Sequence, residues 1–420
     1  MKTKAVRLYG KDDLRLEEFE LPPIKDDEIL AHVISDSICM SSYKATKQGA
    51  EHKRVPNNVH EHPVIIGHEF CGEIVQVGSK WKDKFTPGRK FAIQPAMPIH
   101  GKFDAPGYSY SYCGGDATYV IIPPEVMETD CLLEYNGEAY FYGSLAEPMS
   151  CITGAFHANY HTRYGSYVHQ MDIMHGGRMA ILAGAGPMGL GMIDYAIHRS
   201  IKPSLLVVTD IDEARISRAV KLLPPEEAER NGVRLVYLNT RNLEDPEKEL
   251  LSITEGKGFD DVFVMAPVKQ VVEQADHILG HDGCLNFFAG PTDPGFSALF
   301  NFYNVHYSST HVVGTSGGNT DDMRESLDLM ARGIINPATM ITHVGGLDAV
   351  AETTRHLPEI PGGKKLMYTN ISLPLIAIAD LAEYGKNDPV MAQLAEIVSR
   401  HNGLWNAEAE KYLLAHAKPI

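Results

Sequence analysis

A short glycine-rich segment, residues 183–189, constrains the fold more than any other part of the chain. It reads Ala-Gly-Ala-Gly-Pro-Met-Gly and follows directly on an apolar run at residues 179–182. Its glycines have the spacing of a turn that carries a strand into a helix and lets the backbone approach a diphosphate. The free N–H groups at the start of such a helix attract anions. The segment therefore predicts a dinucleotide-binding turn.

A second apolar run, residues 205–209, ends in Asp210, which lies 21 residues after Gly189. This spacing is close to the roughly 20 residues expected for an acid that binds the ribose hydroxyls of a dinucleotide. It disfavours the alternative of a glycine turn without a ligand. A carboxylate there repels a 2′-phosphate, so we expect NAD(H) to be preferred, while Arg215 leaves the use of NADP(H) open. The residues assigned to the cofactor are Gly184, Gly186, Pro187, Met188, Gly189, Asp210 and Arg215.

The chain shows two patterns of predicted secondary structure. In the first ~150 residues, short apolar stretches are separated by Pro and Gly, which is typical of a small barrel-like β domain. From residue 178 onward, strand patterns alternate with helix patterns, which predicts an α/β fold with a parallel sheet. The predicted strands are residues 29–34, 64–66, 72–77, 119–122, 178–183, 205–210, 234–238, 260–266 and 284–289. The predicted helices are residues 212–223, 245–254, 268–279 and 321–332, with further helices within residues 376–420.

Charge and composition exclude several classes of function. The net charge of −16 argues against binding nucleic acid or an anionic membrane through bulk electrostatics. No apolar run approaches the roughly 20 residues that span a bilayer, and the N-terminal residues lack the apolar core of a signal peptide. The six cysteines are scattered, without the pattern of a disulfide framework. We therefore expect a cytoplasmic protein that acts on a small molecule.

A second set of polar residues lies upstream of the glycine turn. Cys39, the segment Gly67-His68-Glu69, and Glu147 before Pro148 supply the thiolate, imidazole and carboxylate that a catalytic zinc binds. Each residue alone has an ordinary interpretation, such as a small buried cysteine. The sequence does not decide whether Glu69 or Glu147 binds the metal directly. The neighbouring His60-Glu61-His62 is interpreted as a solvated loop, because no third ligand accompanies it.

These motifs, in this order, resemble the zinc-dependent medium-chain alcohol and polyol dehydrogenases. Glu147-Pro148 points to the sorbitol-dehydrogenase-like branch of that family. The resemblance implies a GroES-like β-rich catalytic domain and a Rossmann domain with a doubly wound parallel sheet. It places the first domain at residues 1–155, the second at 156–320, and the return to the catalytic domain at 321–420, which also holds a C-terminal helical extension.

The resemblance also implies roles for individual residues. The metal ligands would come from Cys39, His68, Glu69 and Glu147, and the catalytic groups would be Ser41, Glu69 and Glu147, with Ser41 relaying a proton. Many relatives bind a structural zinc through four closely spaced cysteines, whereas residues 94–113 contain only Cys113. We therefore expect one catalytic zinc and no structural zinc. A homo-oligomer, either a dimer or a tetramer, is the assembly typical of the family.

Within the family, the sequence as a whole resembles the L-sorbose 1-phosphate reductases. This resemblance implies reduction of L-sorbose 1-phosphate to D-glucitol 6-phosphate with NAD(P)H. A phosphorylated substrate needs basic groups, and the candidates are Lys44, Lys47, Lys53 and Arg54. The alternatives are another polyol or amino-alcohol dehydrogenase, of the sorbitol or threonine type, or a non-catalytic nicotinamide-binding sensor or structural protein.

Overall fold

The computed structural model describes all 420 residues, and the chain divides into two compact units. The first unit comprises Met1–Met149, Asn319–Arg332 and Ile341–Ile420. The second comprises Ser150–Gly318 and Gly333–Met340. The chain therefore completes the first unit only after it has built the second. None of the helices has the length and apolar character needed to span a bilayer.

The second unit is built on six parallel strands. In sequence order these strands are numbered one to six, and their order across the sheet is 3-2-1-4-5-6, the arrangement of a Rossmann fold. Every residue of Leu205–Asp210 and Phe259–Val264 is buried, as expected where helices cover both faces of a parallel sheet. The predicted parallel α/β fold is confirmed.

The first four strands of this sheet agree with the sequence predictions to within two residues, whereas the fifth differs and the sixth, His311–Val313, was not predicted. The last predicted strand, residues 284–289, instead runs over Leu279–Phe287, and Asp282 within it has a φ of 56°. Its first half is irregularly paired, polar and glycine-rich, and therefore lacks the apolar pattern of a strand. The sheet strands are Arg178–Leu182, Leu205–Asp210, Arg234–Asn239, Phe259–Val264, Leu279–Phe287 and His311–Val313. The helices are Pro187–His198, Glu213–Leu222, Pro225–Arg230, Pro246–Ile253, Lys269–His277 and Phe302–Tyr307.

The first unit contains mostly antiparallel sheets. One sheet has eight strands, and in it Ile29–Ile38 pairs with Phe70–Val77, Tyr119–Ile122 and Lys364–Tyr368. A three-stranded sheet lies beside it in the same unit. The strands are Lys2–Gly10, Asp13–Glu20, Ile29–Ile38, Val64–Ile65, Phe70–Val77, Lys90–Ile93, Tyr119–Ile122, Leu132–Tyr135, Ile341–Gly346, Lys364–Tyr368 and Ile376–Ala377. The helices are Met40–Gln48, Pro124–Glu128, Tyr140–Ser144, Thr320–Ala331, Val350–Arg355, Leu381–Tyr384, Pro389–Arg400 and Ala407–His416. A further helix, Ala146–Ala158, begins in the first unit and continues into the second.

The predicted C-terminal helical extension is held by a buried carboxylate, Glu410, in the last helix. This carboxylate accepts hydrogen bonds from the backbone N–H of Tyr140 at 2.6 Å and of Phe141 at 2.9 Å. It also accepts the hydroxyl hydrogen of Tyr368 at 2.9 Å, and Trp405 donates to that same hydroxyl at 2.7 Å. The extension is therefore part of the core of the first unit.

A short hairpin of the second unit, Tyr160–Thr162 with His169–Met171, is fixed to the sheet by the buried His161. Nε2 of this histidine donates to Oδ1 of Asp261 at 3.2 Å, and Nδ1 donates to the carbonyl oxygen of Asp282 at 3.0 Å. Because both partners are acceptors, these contacts favour a ring with a proton on each nitrogen. Burial lowers the pKa of His161, but the hydrogen bond to Asp261 outweighs it and the net pKa is raised.

We predict that replacing His161 by Gln destabilises the protein by about 2 kcal/mol at pH 6 and by clearly less at pH 9. The raised pKa means that the wild-type contribution is full below the unfolded-state value of about 6.5 and is lost as the pH rises through the folded-state pKa. Urea denaturation at the two pH values measures this difference. In a matched control, His169→Gln, the exposed ring lacks an acidic partner and the loss should not depend on pH. An equal loss for the His161 variant at both pH values would contradict the charged assignment.

Candidate active site

The first ligand candidate, Cys39, lies where a central strand of the first unit ends and a helix begins. It is the N-terminal cap of Met40–Gln48, so Ser41 and Ser42 lie in the first helical turn. Ser41 Oγ donates to Cys39 Sγ at 3.0 Å. Burial, followed by the charge of Glu69, raises the pKa of the Cys39 thiol. This helix was not predicted, because its buried positions, Ser42, Ala45 and Thr46, are small or polar and form no apolar repeat.

His68 is buried among three hydroxyl groups. Its Nδ1 lies 3.2 Å from Ser42 Oγ, while its Nε2 lies 3.2 Å from Ser41 Oγ and 3.3 Å from the hydroxyl of Tyr108. Burial lowers the pKa of His68, which favours the neutral ring. A neutral imidazole that donates from Nδ1 keeps a lone pair on Nε2, and such a nitrogen can bind a metal. Tyr108 was not among the predicted site residues.

The carboxylate of Glu69 forms a buried ion pair with Lys364. The lysine Nζ lies 2.6 Å from Oε2 and also contacts Oε1, and Ser37 Oγ donates to Oε2. Burial lowers the pKa of Lys364, but the charge of Glu69 opposes it and the net pKa is raised. The two residues are 295 positions apart in the sequence. No local pattern could have linked them.

The structure places the ligand atoms of Cys39, His68 and Glu69 within 4.8 Å of one another. Glu147 lies in the first turn of Ala146–Ala158 and is outside this group of three. Burial, followed by the charge of Glu69, raises the pKa of Glu147 to about 7. Thiolate, imidazole and carboxylate oxygen are the donors of catalytic zinc sites, so the chemistry of this set fits that metal.

The predicted dinucleotide turn of the second unit has the geometry that its glycines require. A Cβ on Gly189 would lie 1.9 Å from the carbonyl oxygen of Gly184, whereas a Cβ on Gly186 would have no atom within 4 Å. Gly186 caps the helix Pro187–His198, so Met188 lies in its first turn. The side of the turn at Gly186 is therefore open to a ligand, while Gly189 permits close packing of the backbone.

The predicted ribose-binding acid, Asp210, is almost fully buried at the end of its strand. Its carboxylate accepts backbone N–H groups of Ala185 at 3.1 Å, Ile211 at 2.8 Å and Asp212 at 3.0 Å. Three of its roughly four acceptor positions are thus used, and one remains for a hydroxyl group. Arg215 is exposed and lies 4.0 Å from the carboxylate of Asp212.

The basic residues after Cys39 differ in their surroundings. Lys47 pairs with Asp12 at 2.7 Å. Lys53 is exposed with its Nζ 5.5 Å from the ring centroid of Phe103, and Arg54 lies over Tyr108. Lys44 is half-buried on the helix that Cys39 caps. The segment His60-Glu61-His62 is exposed, as the loop interpretation requires.

Comparison with known families matches both units. Residues 25–129 match the alcohol dehydrogenase GroES-like domain, and residues 187–332 match the zinc-binding dehydrogenase family. The chain is 54% identical to the mannitol-1-phosphate 5-dehydrogenase of Aliivibrio fischeri over 98% of this chain and 97% of that protein. It is 52% identical to the L-sorbose 1-phosphate reductase of Klebsiella pneumoniae over 100% of this chain and 98% of that protein.

The chain belongs to the zinc-dependent medium-chain alcohol and polyol dehydrogenase family. The fold agrees: the crystal structure of the 2R,3R-butanediol dehydrogenase from Bacillus subtilis has a TM-score of 0.70. The two are 22% identical, and the match covers 88% of this chain and 100% of that one. The predicted combination of GroES-like and Rossmann folds is thus confirmed. This dehydrogenase is an NAD(P)-dependent oxidoreductase of a zinc-type family.

We predict that replacing Lys364 by Met lowers the free energy of unfolding of the dehydrogenase by about 3–5 kcal/mol, because it leaves a buried carboxylate without its cation. Denaturant titration measures the change. Lys365→Met is the matched control: this neighbouring buried lysine donates only to the carbonyl oxygens of Pro361 and Gly363. The control should lose only about 1–2 kcal/mol. Equal losses of unfolding free energy in the two variants would show that the ion pair contributes no more to stability than the hydrogen bonds of Lys365.

We predict opposite effects for two alanine substitutions in the glycine turn. Gly189→Ala should prevent correct folding of the second unit, because the new Cβ would overlap a backbone oxygen. Gly186→Ala should fold normally, since its φ of −76° suits alanine and the space is open. It should nevertheless weaken NADH binding by about tenfold or more, because the Cβ would occupy the approach to the diphosphate. Fluorescence titration with NADH and thermal denaturation separate the two effects. Unchanged NADH affinity in Gly186→Ala would place the diphosphate elsewhere.

Proposed function

We propose that this dehydrogenase reduces L-sorbose 1-phosphate to D-glucitol 6-phosphate with NAD(P)H as the hydride donor. The observation that supports the reaction type is the buried cluster of Cys39, His68 and Glu69. The substrate class is supported by the two relatives above 50% identity, since both of their names specify the phosphate of a six-carbon sugar or polyol.

We propose that Cys39, His68 and Glu69 supply the protein ligands of a single catalytic zinc, because their ligand atoms lie so close together. A zinc ion bound there would polarise the carbonyl oxygen of the substrate as a Lewis acid. Lys364 and Ser37 hold the carboxylate of Glu69 in a fixed orientation. Glu147 serves as the second carboxylate of the site, close enough for its charge to influence the pKa of His68.

Ser41 is the proposed proton donor to the substrate oxygen. Hydride addition to the carbonyl carbon leaves negative charge on that oxygen, and one proton completes the alcohol. Ser41 Oγ lies 3.0 Å from Cys39 Sγ and 3.2 Å from His68 Nε2, so it is positioned at the ligand cluster itself. Its hydroxyl can give up its proton there and regain one from solvent, as a positioned acid–base group does.

We assign the nicotinamide cofactor to the glycine turn, with Asp210 accepting a ribose hydroxyl. The free acceptor position of this buried carboxylate suits a hydroxyl group and disfavours the 2′-phosphate of NADP(H). Arg215 is exposed and forms no short ion pair, so its charge can offset part of the repulsion between Asp210 and a 2′-phosphate. We therefore propose NAD(H) as the preferred cofactor, with NADP(H) accepted.

A second candidate substrate is favoured by the Aliivibrio relative: mannitol 1-phosphate, oxidised at carbon 5. The two candidates differ in geometry. In D-glucitol 6-phosphate the reacting carbon is next to the phosphorylated carbon, whereas three carbons separate the two in mannitol 1-phosphate. We further propose that the enzyme forms homo-oligomers and works in a reducing cytoplasm, where its six unpaired cysteines remain thiols.

We predict that Cys39→Ser abolishes turnover, by about a thousandfold or more, because zinc loses its thiolate ligand. NADH binding should be retained. The measurement combines zinc analysis with NADH oxidation in the presence of L-sorbose 1-phosphate, L-sorbose or fructose 6-phosphate. Wild type should contain about one zinc per chain. Cys113→Ser, at a buried position outside the ligand cluster, is the control and should keep both zinc and activity.

Each other outcome points to a different function. Full activity in Cys39→Ser would overturn the zinc mechanism. A zinc-containing wild type that reduces no ketose phosphate would favour a dehydrogenase of the sorbitol or threonine type. Binding of NADH without zinc or turnover would favour a nicotinamide-binding sensor or structural protein.

A further inference from the structure

Two adjacent cations in the segment after Cys39, Lys53 and Arg54, have no acidic partner. This is notable in a chain that carries 54 acidic and 38 basic residues. Lys47 on the same stretch is paired with Asp12. Neither Lys53 nor Arg54 has a carboxylate oxygen within 4.0 Å of its charged nitrogens. Positive charge is therefore concentrated at this position rather than neutralised.

Arg54 is held close to His68 by a single aromatic ring. Its Cζ lies 5.2 Å from the ring centroid of Tyr108, and the hydroxyl of that tyrosine lies 3.3 Å from His68 Nε2. The backbone at this point is fixed as well, because Ser109 Oγ donates to the carbonyl oxygen of Arg54 at 2.7 Å. The guanidinium is thus held at the edge of the site, with only the side chain of Tyr108 between it and His68.

The pKa of the neighbouring His52 reflects the positive charge around it. The ring of His52 stacks on the same tyrosine, with centroids 5.7 Å apart and planes inclined by 11°. Burial, followed by the charges of Arg54, Lys53 and Lys44, lowers the pKa of His52 to about 4. The positive charges of these residues are therefore felt next to Tyr108, where His52 lies. His52 itself is neutral at neutral pH.

We propose that Arg54, assisted by Lys53, binds the phosphate group of the substrate. This inference rests on the proposed function, because it assumes that the carbonyl is reduced at the cluster of Cys39, His68 and Glu69. A guanidinium presents parallel N–H donors that match two phosphate oxygens. In L-sorbose 1-phosphate, only one carbon and one ester oxygen separate the carbonyl carbon from phosphorus. A phosphate recognised one ring away from His68 suits that short distance.

Tyr108 separates Arg54 from the ligand cluster. The guanidinium of Arg54 already lies over the face of this ring, whose hydroxyl contacts His68. The ring is nearly inaccessible to solvent. Arg54 therefore distinguishes phosphorylated from free ketoses without itself touching the ligand atoms of the cluster.

The test compares Arg54→Gln and Arg54→Lys with wild type on L-sorbose 1-phosphate, fructose 6-phosphate and L-sorbose. Arg54→Gln should lower kcat/KM for the phosphorylated substrate by about 10- to 100-fold, mainly through KM. The value for L-sorbose and the KM for NADH should stay within about twofold of wild type. Arg54→Lys should restore part of the loss, because it keeps the charge but not the paired donors. Lys82→Gln removes an exposed charge elsewhere in the same unit and serves as the control.

Inorganic phosphate provides an independent probe. It should inhibit wild type competitively with L-sorbose 1-phosphate, and this inhibition should weaken in Arg54→Gln to a similar extent as substrate affinity. A parallel loss with L-sorbose and L-sorbose 1-phosphate would make Arg54 a support for Tyr108 and overturn the inference. A wild type that does not distinguish phosphorylated from free ketoses would overturn the proposed function itself. Selectivity that survives in Arg54→Gln would leave the proposed function intact and refute only the role of Arg54.

Discussion

The buried ion pair between Glu69 and Lys364 is the interaction on which the candidate active site depends. Desolvating two charges costs several kcal/mol for each ion, and the pair is tolerable only because each charge satisfies the other. Ser37 adds a further hydrogen bond to the same carboxylate. The pair therefore requires that the strand Lys364–Tyr368 be in place beside Ile29–Ile38. Without the late part of the chain, the early ligands would surround an uncompensated carboxylate.

Much of the fold and of the candidate site could be predicted from local sequence. Glycine spacing, the acid after the next strand, and the order of cysteine, histidine and glutamate each have a physical reason that acts within a few residues. Parallel strands buried on both faces give long apolar runs, so the first four strands of the second unit were predicted to within two residues. The fifth, Leu279–Phe287, begins with polar residues and glycines whose pairing depends on the neighbouring strand. The sixth, His311–Val313, has only three residues and was not predicted.

The parts that could not be predicted depend on contacts between distant segments. Lys364 reaches Glu69 across 295 positions, and Tyr108 approaches His68 from a loop with no regular pattern. The helix that begins after Cys39 buries only small or polar residues and therefore shows no apolar repeat. The four cations after Cys39 also look equivalent in the sequence. Only their partners distinguish them, since Lys47 is neutralised by Asp12 and Arg54 is not.

The helix Ala407–His416 connects two segments that flank the candidate active site. Glu410 joins the backbone at Tyr140, shortly before Glu147, to the hydroxyl of Tyr368, in the strand that carries Lys364. Loss of this one carboxylate would therefore loosen both the segment that leads to Glu147 and the strand that carries Lys364. A residue that contacts neither the candidate ligands nor the glycine turn thus contributes to the order of the site.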